Sequence, residues 1–145
     1  EYSKFETYDE NNNLILTMKY KNNKTIMEQQ VGGDKIKMIK YFENFDPSSG
    51  KIVVYKNDIL VRIMQIKNSI LEGEFKVYYP SGKLLYIMNA KNGVLNGTAK
   101  SFYESGKIMS IVHFKDGESD GEFIEYDEEG KIIEKVLYKN GKIVK

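Results

Sequence analysis

GTAKSFYESGKIMSIVHFKDGESD, residues 97–120, is followed at Gly121 by a segment of the same design, and another begins 24 residues earlier at Gly73. Two further glycine sets keep this period: Gly82, Gly106 and Gly130, then Gly93, Gly117 and Gly141. Nine of the twelve glycines therefore stand on three rungs of one repeat. A unit this short cannot bury its own apolar face, so copies must stack on their neighbours.

Within each copy an aromatic follows the opening glycine by five residues: Tyr78, Phe102 and Tyr126. Gly-Lys and two aliphatics come next, as in Gly82-Lys83-Leu84-Leu85, Gly106-Lys107-Ile108-Met109 and Gly130-Lys131-Ile132-Ile133. Each copy then carries Lys-Asn-Gly or Lys-Asp-Gly at Lys91, Lys115 and Lys139. Asn-Gly and Asp-Gly suit two-residue hairpin turns, whose central residues need positive φ. Pro80-Ser81-Gly82, Glu104-Ser105-Gly106 and Glu128-Glu129-Gly130 are the other kind of turn, polar and closed by glycine. The intervening runs are rich in β-branched and aromatic residues and have strand length. Two strands and two turns per period make a hairpin repeat.

The pattern extends back in eroded form. Tyr8 through Lys24 aligns without gaps on Tyr126 through Lys142, with Asn12 and Asn23 where Gly130 and Gly141 stand. Asparagine is the next most tolerant residue for a left-handed backbone. Lys67-Asn68-Ser69 is in register with Lys91-Asn92-Gly93, and Asp58 takes the position of the longer turn. Gly32-Gly33 and Asp46-Pro47-Ser48-Ser49-Gly50 mark two more turns, and only Glu28-Gln29-Gln30 reads poorly as strand. The expectation is an all-β fold, an elongated antiparallel meander of consecutive hairpins in one open twisted sheet. Twelve turns and about thirteen strands would occupy one domain over 1–145, with degenerate repeats in 1–72 and three clear ones in 73–145.

Simple alternation puts Leu84, Met88 and Ala90 on one face, with Ile108, Val112, Phe114, Ile132, Val136 and Tyr138. Leu85, Met109, Ile133, Asn89, His113 and Leu137 fall on the other. Neither face is cleanly polar. Gly97 and Gly121 are expected to let a neighbouring aromatic lie against bare backbone, so that Gly97→Val would lower the melting temperature sharply, and Gly73 stands on the same rung as a turn or stacking glycine.

Charged residues make up 30% and hydrophobic ones 41%, the balance of a folded chain. Lys plus Arg (22) nearly equals Asp plus Glu (21), so no general field draws nucleic acid or anionic lipid. Cysteine is absent, which removes thiolate chemistry and disulfides. The chain opens at Glu1 without methionine. A cut boundary or a cleaved signal peptide or lipid anchor accounts for that, and the lean is to the cell envelope or secretion, with the cytoplasm as the alternative.

The unit Gly-x-Phe-x-x-Tyr-Tyr-x-x-Gly-Lys-Leu, followed by Lys-Asn-Gly-x-x-x-Gly, resembles the MORN repeat in its second, bacterial subtype. The likeness is good over 73–145 and runs in register over 1–72. Where that subtype often has Trp, this chain has Phe75, Ala99 and Phe123. The resemblance implies a curved or elongated sheet, a scaffold and interaction role, and no catalytic residues or cofactor. Bacterial relatives are often labelled antitoxin-like or occur among envelope and exported proteins.

Candidate chemistry dissolves into the repeat. Gly117-Glu118-Ser119-Asp120-Gly121 matches a nucleophile elbow, but that motif needs a strand-turn-helix setting and a later histidine. His113, the one histidine, precedes it. Asp116 to Asp127 begins like a calcium loop, yet lacks the bidentate Glu at position twelve. The acidic stretch 116–129 reads as a solvated edge or a dock for a basic partner. Tyr78, Tyr79, Phe102, Tyr103 and Tyr126 are the best partner-binding candidates, with inter-repeat packing as their other explanation. The expected function is a non-catalytic scaffold that offers an extended β surface to another protein. A cytoplasmic antitoxin-like or assembly factor is the alternative, and edge strands open a route to self-association.

Overall fold

The computed structural model describes residues 2–144, so the expectation attached to Glu1 lies outside the described residues. The chain divides into two compact units, Glu1–Ser69 and Ile70–Lys145. Each is an antiparallel meander of consecutive hairpins, and the fold is all-β. The first unit contains β1 (Ser3–Tyr8), β2 (Leu14–Lys21), β3 (Lys24–Val31), β4 (Asp34–Glu43), β5 (Asp46–Lys56) and β6 (Ile59–Lys67). The second contains β7 (Ile70–Tyr78), β8 (Leu84–Lys91), β9 (Val94–Leu95), β10 (Gly97–Phe102) and β11 (Ile108–Lys115). It continues through β12 (Glu118–Ser119), β13 (Gly121–Tyr126), β14 (Ile132–Lys139) and β15 (Lys142–Ile143). β9 and β12 lead into β10 and β13 after a break at Asn96 or Asp120, and counting them together leaves thirteen strands among the described residues.

Two turn chemistries alternate in the second unit. Asn92 and Gly93 have φ of 50° and 81°, Asp116 and Gly117 51° and 88°, as a type I′ turn requires. The longer turns close with Gly82 N–H on Tyr79 C=O and Tyr79 N–H on Lys83 C=O, at 2.9 and 2.8 Å. The same pair of bonds recurs at Tyr103 and Asp127, and also at Asp9 in the first unit. This is a three-residue hairpin loop, a type I turn followed by a left-handed residue.

Each longer turn is followed by a bulge that alternation alone does not reveal. Val77 pairs with Tyr86 but Tyr78 pairs with Leu84, so Leu85 is the extra residue. Met109, Ile133 and Ile15 are its counterparts. The aliphatic doublet after Gly-Lys is therefore the bulge itself, and it breaks the two-residue alternation. Leu84, Ile108 and Ile132 do not continue the face of Met88, Val112 and Val136; Tyr86, Ser110 and Glu134 do.

The first unit departs from the expected turns in three places. Asn57-Asp58 forms a two-residue turn, with Lys56 paired to Ile59. Glu28-Gln29-Gln30 lies inside β3 in full register with Ile36 and its neighbours, because flanking pairs such as Met27 with Met38 fix the ladder. The β4–β5 connection is Asn44-Phe45, with φ of 49° and 61°. Asp46-Pro47-Ser48-Ser49-Gly50 is instead a wide bulge, since Glu43 pairs with Asp46 while Phe42 pairs with Gly50. Asp46 Oδ1 holds it by accepting from Ser48 N–H and Oγ, both at 2.8 Å.

A single layer of sheet leaves little interior. Among the described residues no large side chain is fully buried, and the buried apolar positions are Val53, Ala90 and Ala99. Stability must come from ladders, turns and contacts along each face rather than from a two-layer core.

Candidate functional site

The register assembles two apolar faces. In the first unit, Met18 pairs with Met27 and Met27 with Met38, so three thioether side chains stand abreast on β2, β3 and β4. Phe5 extends this row opposite Met18, and Val54 extends it opposite Met38. Tyr20, Thr25, Phe42 and Pro47 join the methionines around an open groove of about 280 Å³, with Lys40 on its wall. Methionine is flexible and polarisable, and such a surface adapts to varied apolar ligands.

The opposite face of this unit is built differently. Ile26, Ile39, Val53 and Ile63 run across its middle, flanked by lysine–tyrosine contacts. Lys24 and Lys51 lie over the Tyr41 ring at 5.3 and 5.2 Å, and Lys37 over Tyr55 at 4.9 Å. Those cation–π contacts set ammonium groups over the rings on this face.

In the second unit, Tyr86, Met88, Leu95, Ala99, Val112 and Phe114 line a second shallow apolar groove. Ala99 is buried because larger neighbours close over it. Ser101 and Ser110 sit beside it and satisfy each other at 2.6 Å.

The aromatic candidates separate into two roles. Tyr79 hydroxyl donates to Phe102 C=O at 2.8 Å, and Tyr103 hydroxyl to Tyr126 C=O at 2.7 Å. Each phenol thus reaches the next repeat, and burial first, then nearby carboxylates, raises its pKa. Tyr78, Phe102 and Tyr126 are half-buried at the ends of β7, β10 and β13. None of the five lines the grooves described above.

Where the outermost repeats would carry this tyrosine, they carry aspartate. Asp127 Oδ1 accepts from Glu129 N–H and Lys131 N–H, at 3.1 and 2.8 Å. Asp9 Oδ1 accepts equivalently from Asn11 and Asn13, at 2.9 and 2.8 Å. The tyrosine spends its hydroxyl on a neighbouring repeat, whereas the aspartate secures its own turn.

Backbone bonds tie the repeats at their other end. Gly93, Gly117 and Gly141 N–H donate to Leu71, Leu95 and Ser119 C=O, each at 2.9 Å. Of the two glycines predicted to accept an aromatic, one does so. A Cβ at Gly97 would meet nothing within 4 Å, whereas His113 packs on Gly121 with its Cβ 3.1 Å from that position.

The serine and calcium motifs fall on the same hairpin scaffold. Ser119 pairs with Phe114 across a two-residue turn, and His113 Nδ1 shares a hydrogen bond with Thr98 Oγ1 at 3.0 Å. Asp120 accepts from Asn140 N–H and Lys139 Nζ, both at 3.2 Å, and the Asn140 bond leads in lowering its pKa.

A model of the MORN repeat variant matches residues 3–22, 71–92, 95–116 and 119–140, more than half of the chain. The chain belongs to the MORN repeat variant family. Three matched MORN units cover the second compact unit at the 24-residue period, and a fourth covers β1, the following turn and β2. The methionine groove lies mostly in the stretch between the first and second matched MORN units. A search of curated proteins finds no match. MORN repeats are generally associated with binding to proteins or membranes.

The clasp between MORN units supports one expected result. Tyr103→Phe removes the bond to Tyr126 C=O and should lower stability by about 1 kcal/mol, or the melting temperature by roughly 3 °C. Tyr8→Phe, whose exposed ring donates its hydroxyl to the Glu6 carboxylate on the same strand at 3.2 Å, should change stability by less than about 0.5 kcal/mol. Paired thermal melts followed by circular dichroism make the comparison.

Proposed function

We propose that the chain is a non-catalytic binding module that engages another protein through the methionine face of its first unit. The observation that carries this reading is the cross-strand row Met18–Met27–Met38 in an open groove with Tyr20, Phe42 and Pro47. Such a row adds nothing to a second layer, because the sheet is a single layer. It offers a continuous, deformable apolar surface on a backbone held by ladders on both sides. Lys40 on the groove wall favours a partner with an acidic residue beside its apolar anchor.

Residence at the cell envelope or outside the cell is part of the proposal. Affinity capture from fractionated native cells tests both parts. The wild-type chain should retain one envelope or extracellular protein, and Met27→Glu should weaken retention on the order of tenfold. Lys51→Glu, on the opposite face, should retain it. Equal loss with both variants would remove the face assignment. Recovery from cytosol with one small stoichiometric partner would point instead to an antitoxin-like masking factor.

A further inference from the structure

We propose that the methionine row of the first unit is a binding site for a soft monovalent cation, Cu(I) by its chemistry, held by the thioether sulfurs of Met18, Met27 and Met38. The side chains are those named for the protein contact, but the site rests on their sulfur chemistry and stands whether or not a protein binds there.

Register brings the three ligands together. Met27 is the partner of Met18 on one side and of Met38 on the other. Directly opposed residues of an antiparallel ladder share a face, with Cβ atoms about 5 Å apart. The outer two sulfurs therefore start from Cβ atoms about 10 Å apart, with the third ligand between them. Each sulfur stands two bonds beyond its Cβ on a flexible, unbranched chain, so the outer pair can lean in over Met27. All three side chains are half-buried and line the same open groove. Tyr20, which also lines it, brings its hydroxyl to 3.9 Å from Met18 Sδ, so a polar group already reaches that sulfur from the groove side.

The donor set selects the ion. A thioether is soft and neutral, has no proton to lose, and prefers Cu(I) to calcium or magnesium. Cu(I) is a filled-shell ion that accepts a linear or trigonal set of ligands, as few as this row supplies. Cysteine is absent from the chain, and the one histidine, His113, belongs to the second unit. Among the described residues no group of His, Cys, Asp or Glu could hold a metal ion, which leaves harder cations without a comparable site. The other methionines do not repeat the row. Met64 faces Ile52, Met88 faces Phe75, and Met109 is the extra residue of a bulge.

The surroundings set the strength of the site. Phe5 opposite Met18 and Val54 opposite Met38 close the ends of the row with apolar groups. Three neutral donors leave the ion its full charge, and Lys40 on the groove wall opposes it. Such a site suits reversible loading rather than permanent storage.

Silver nitrate in chloride-free buffer is the probe, because Ag(I) is a soft monovalent ion that needs no reductant. The full chain carries six methionines, and isotope-labelled methyl groups give each its own NMR signal. Silver should shift the signals of Met18, Met27 and Met38 together, saturate at one ion per chain, and leave Met64, Met88 and Met109 in place. Zn(II) should shift none of them. Met27→Leu conserves volume and apolar surface, so the fold should be kept. It should weaken silver binding at least about tenfold, a loss that removing even an outer-shell partner of a metal produces. Met88→Leu should leave the affinity unchanged. Because leucine keeps the groove apolar, a protein retained by the wild type and lost by Met27→Glu should still bind Met27→Leu, so the two readings fail separately. Silver shifts in all six signals alike, shifts in fewer than all three of the row, or equal affinity in Met27→Leu would overturn the proposal.

Discussion

Replacing Gly50 by alanine should cost about 3 kcal/mol or more and lower the melting temperature of the chain by more than about 10 °C. Gly50 has φ of 138°, a region closed to side chains that carry a Cβ. The added methyl would overlap the Tyr41 carbonyl oxygen and lie 3.1 Å from Glu43 N. All these neighbours are backbone atoms, so no rotamer change relieves the clash. Relief requires moving β4 against β5 at the wide bulge, where Phe42–Gly50 and Gly50–Ile66 pairings meet. Gly32→Ala is the control, because φ is 56° there and a Cβ would meet nothing within 4 Å. Its cost should stay near 1–2 kcal/mol, the conformational term alone. Equal melts for the two variants would show that the Tyr41 contact yields easily.

Gly121→Val should be the second most damaging change, at about 2–3 kcal/mol, and clearly worse than Gly97→Val. The two glycines occupy the same rung one period apart, so sequence alone expects equal effects. Their surroundings differ. Gly121 has φ of 122°, and a Cβ there would sit 3.1 Å from His113 Cβ and 3.5 Å from two ring carbons. Valine would push the imidazole off its bond to Thr98 Oγ1. Gly97 has φ of 94° and open space, so its variant should bear only the backbone term, roughly 1–2 kcal/mol. Urea unfolding of both proteins decides it; coincident midpoints would mean that His113 moves aside without cost.

What the residues reveal in advance, and what they conceal, follows from how local each signal is. Asn92-Gly93 and Asp116-Gly117 announce their turns because positive φ is a property of the residues themselves. The bulges at Leu85 and Met109 are written in the sequence as aliphatic doublets, but they look like ordinary strand until the partner register is known. Asp46 through Gly50 has turn composition and does bend the chain, yet Asn44-Phe45 closes the hairpin because strand pairing decides which bend connects strands. The methionine row was the least visible feature. Met18, Met27 and Met38 have unequal spacings and become neighbours only through the β2–β3–β4 register. Tyr79 and Tyr103 were visible as repeated aromatics, but the carbonyls that receive their hydroxyls lie one period away.

The recurrence of those hydroxyl and amide bonds makes length a quantity this protein can change in whole steps. Excising residues 97–120 would join Asn96 to Gly121, a junction equivalent to the native Asn96–Gly97. Tyr79 would then face Tyr126 C=O in place of Phe102 C=O, and Gly141 N–H would find Leu95 C=O in place of Ser119 C=O. Each severed donor meets an acceptor of the same kind. A deletion that is not a whole number of periods would leave strands out of phase and these groups unmatched. Lineages carrying this fold can therefore gain or lose reach by recombination at the period, while point changes tune what each rung presents.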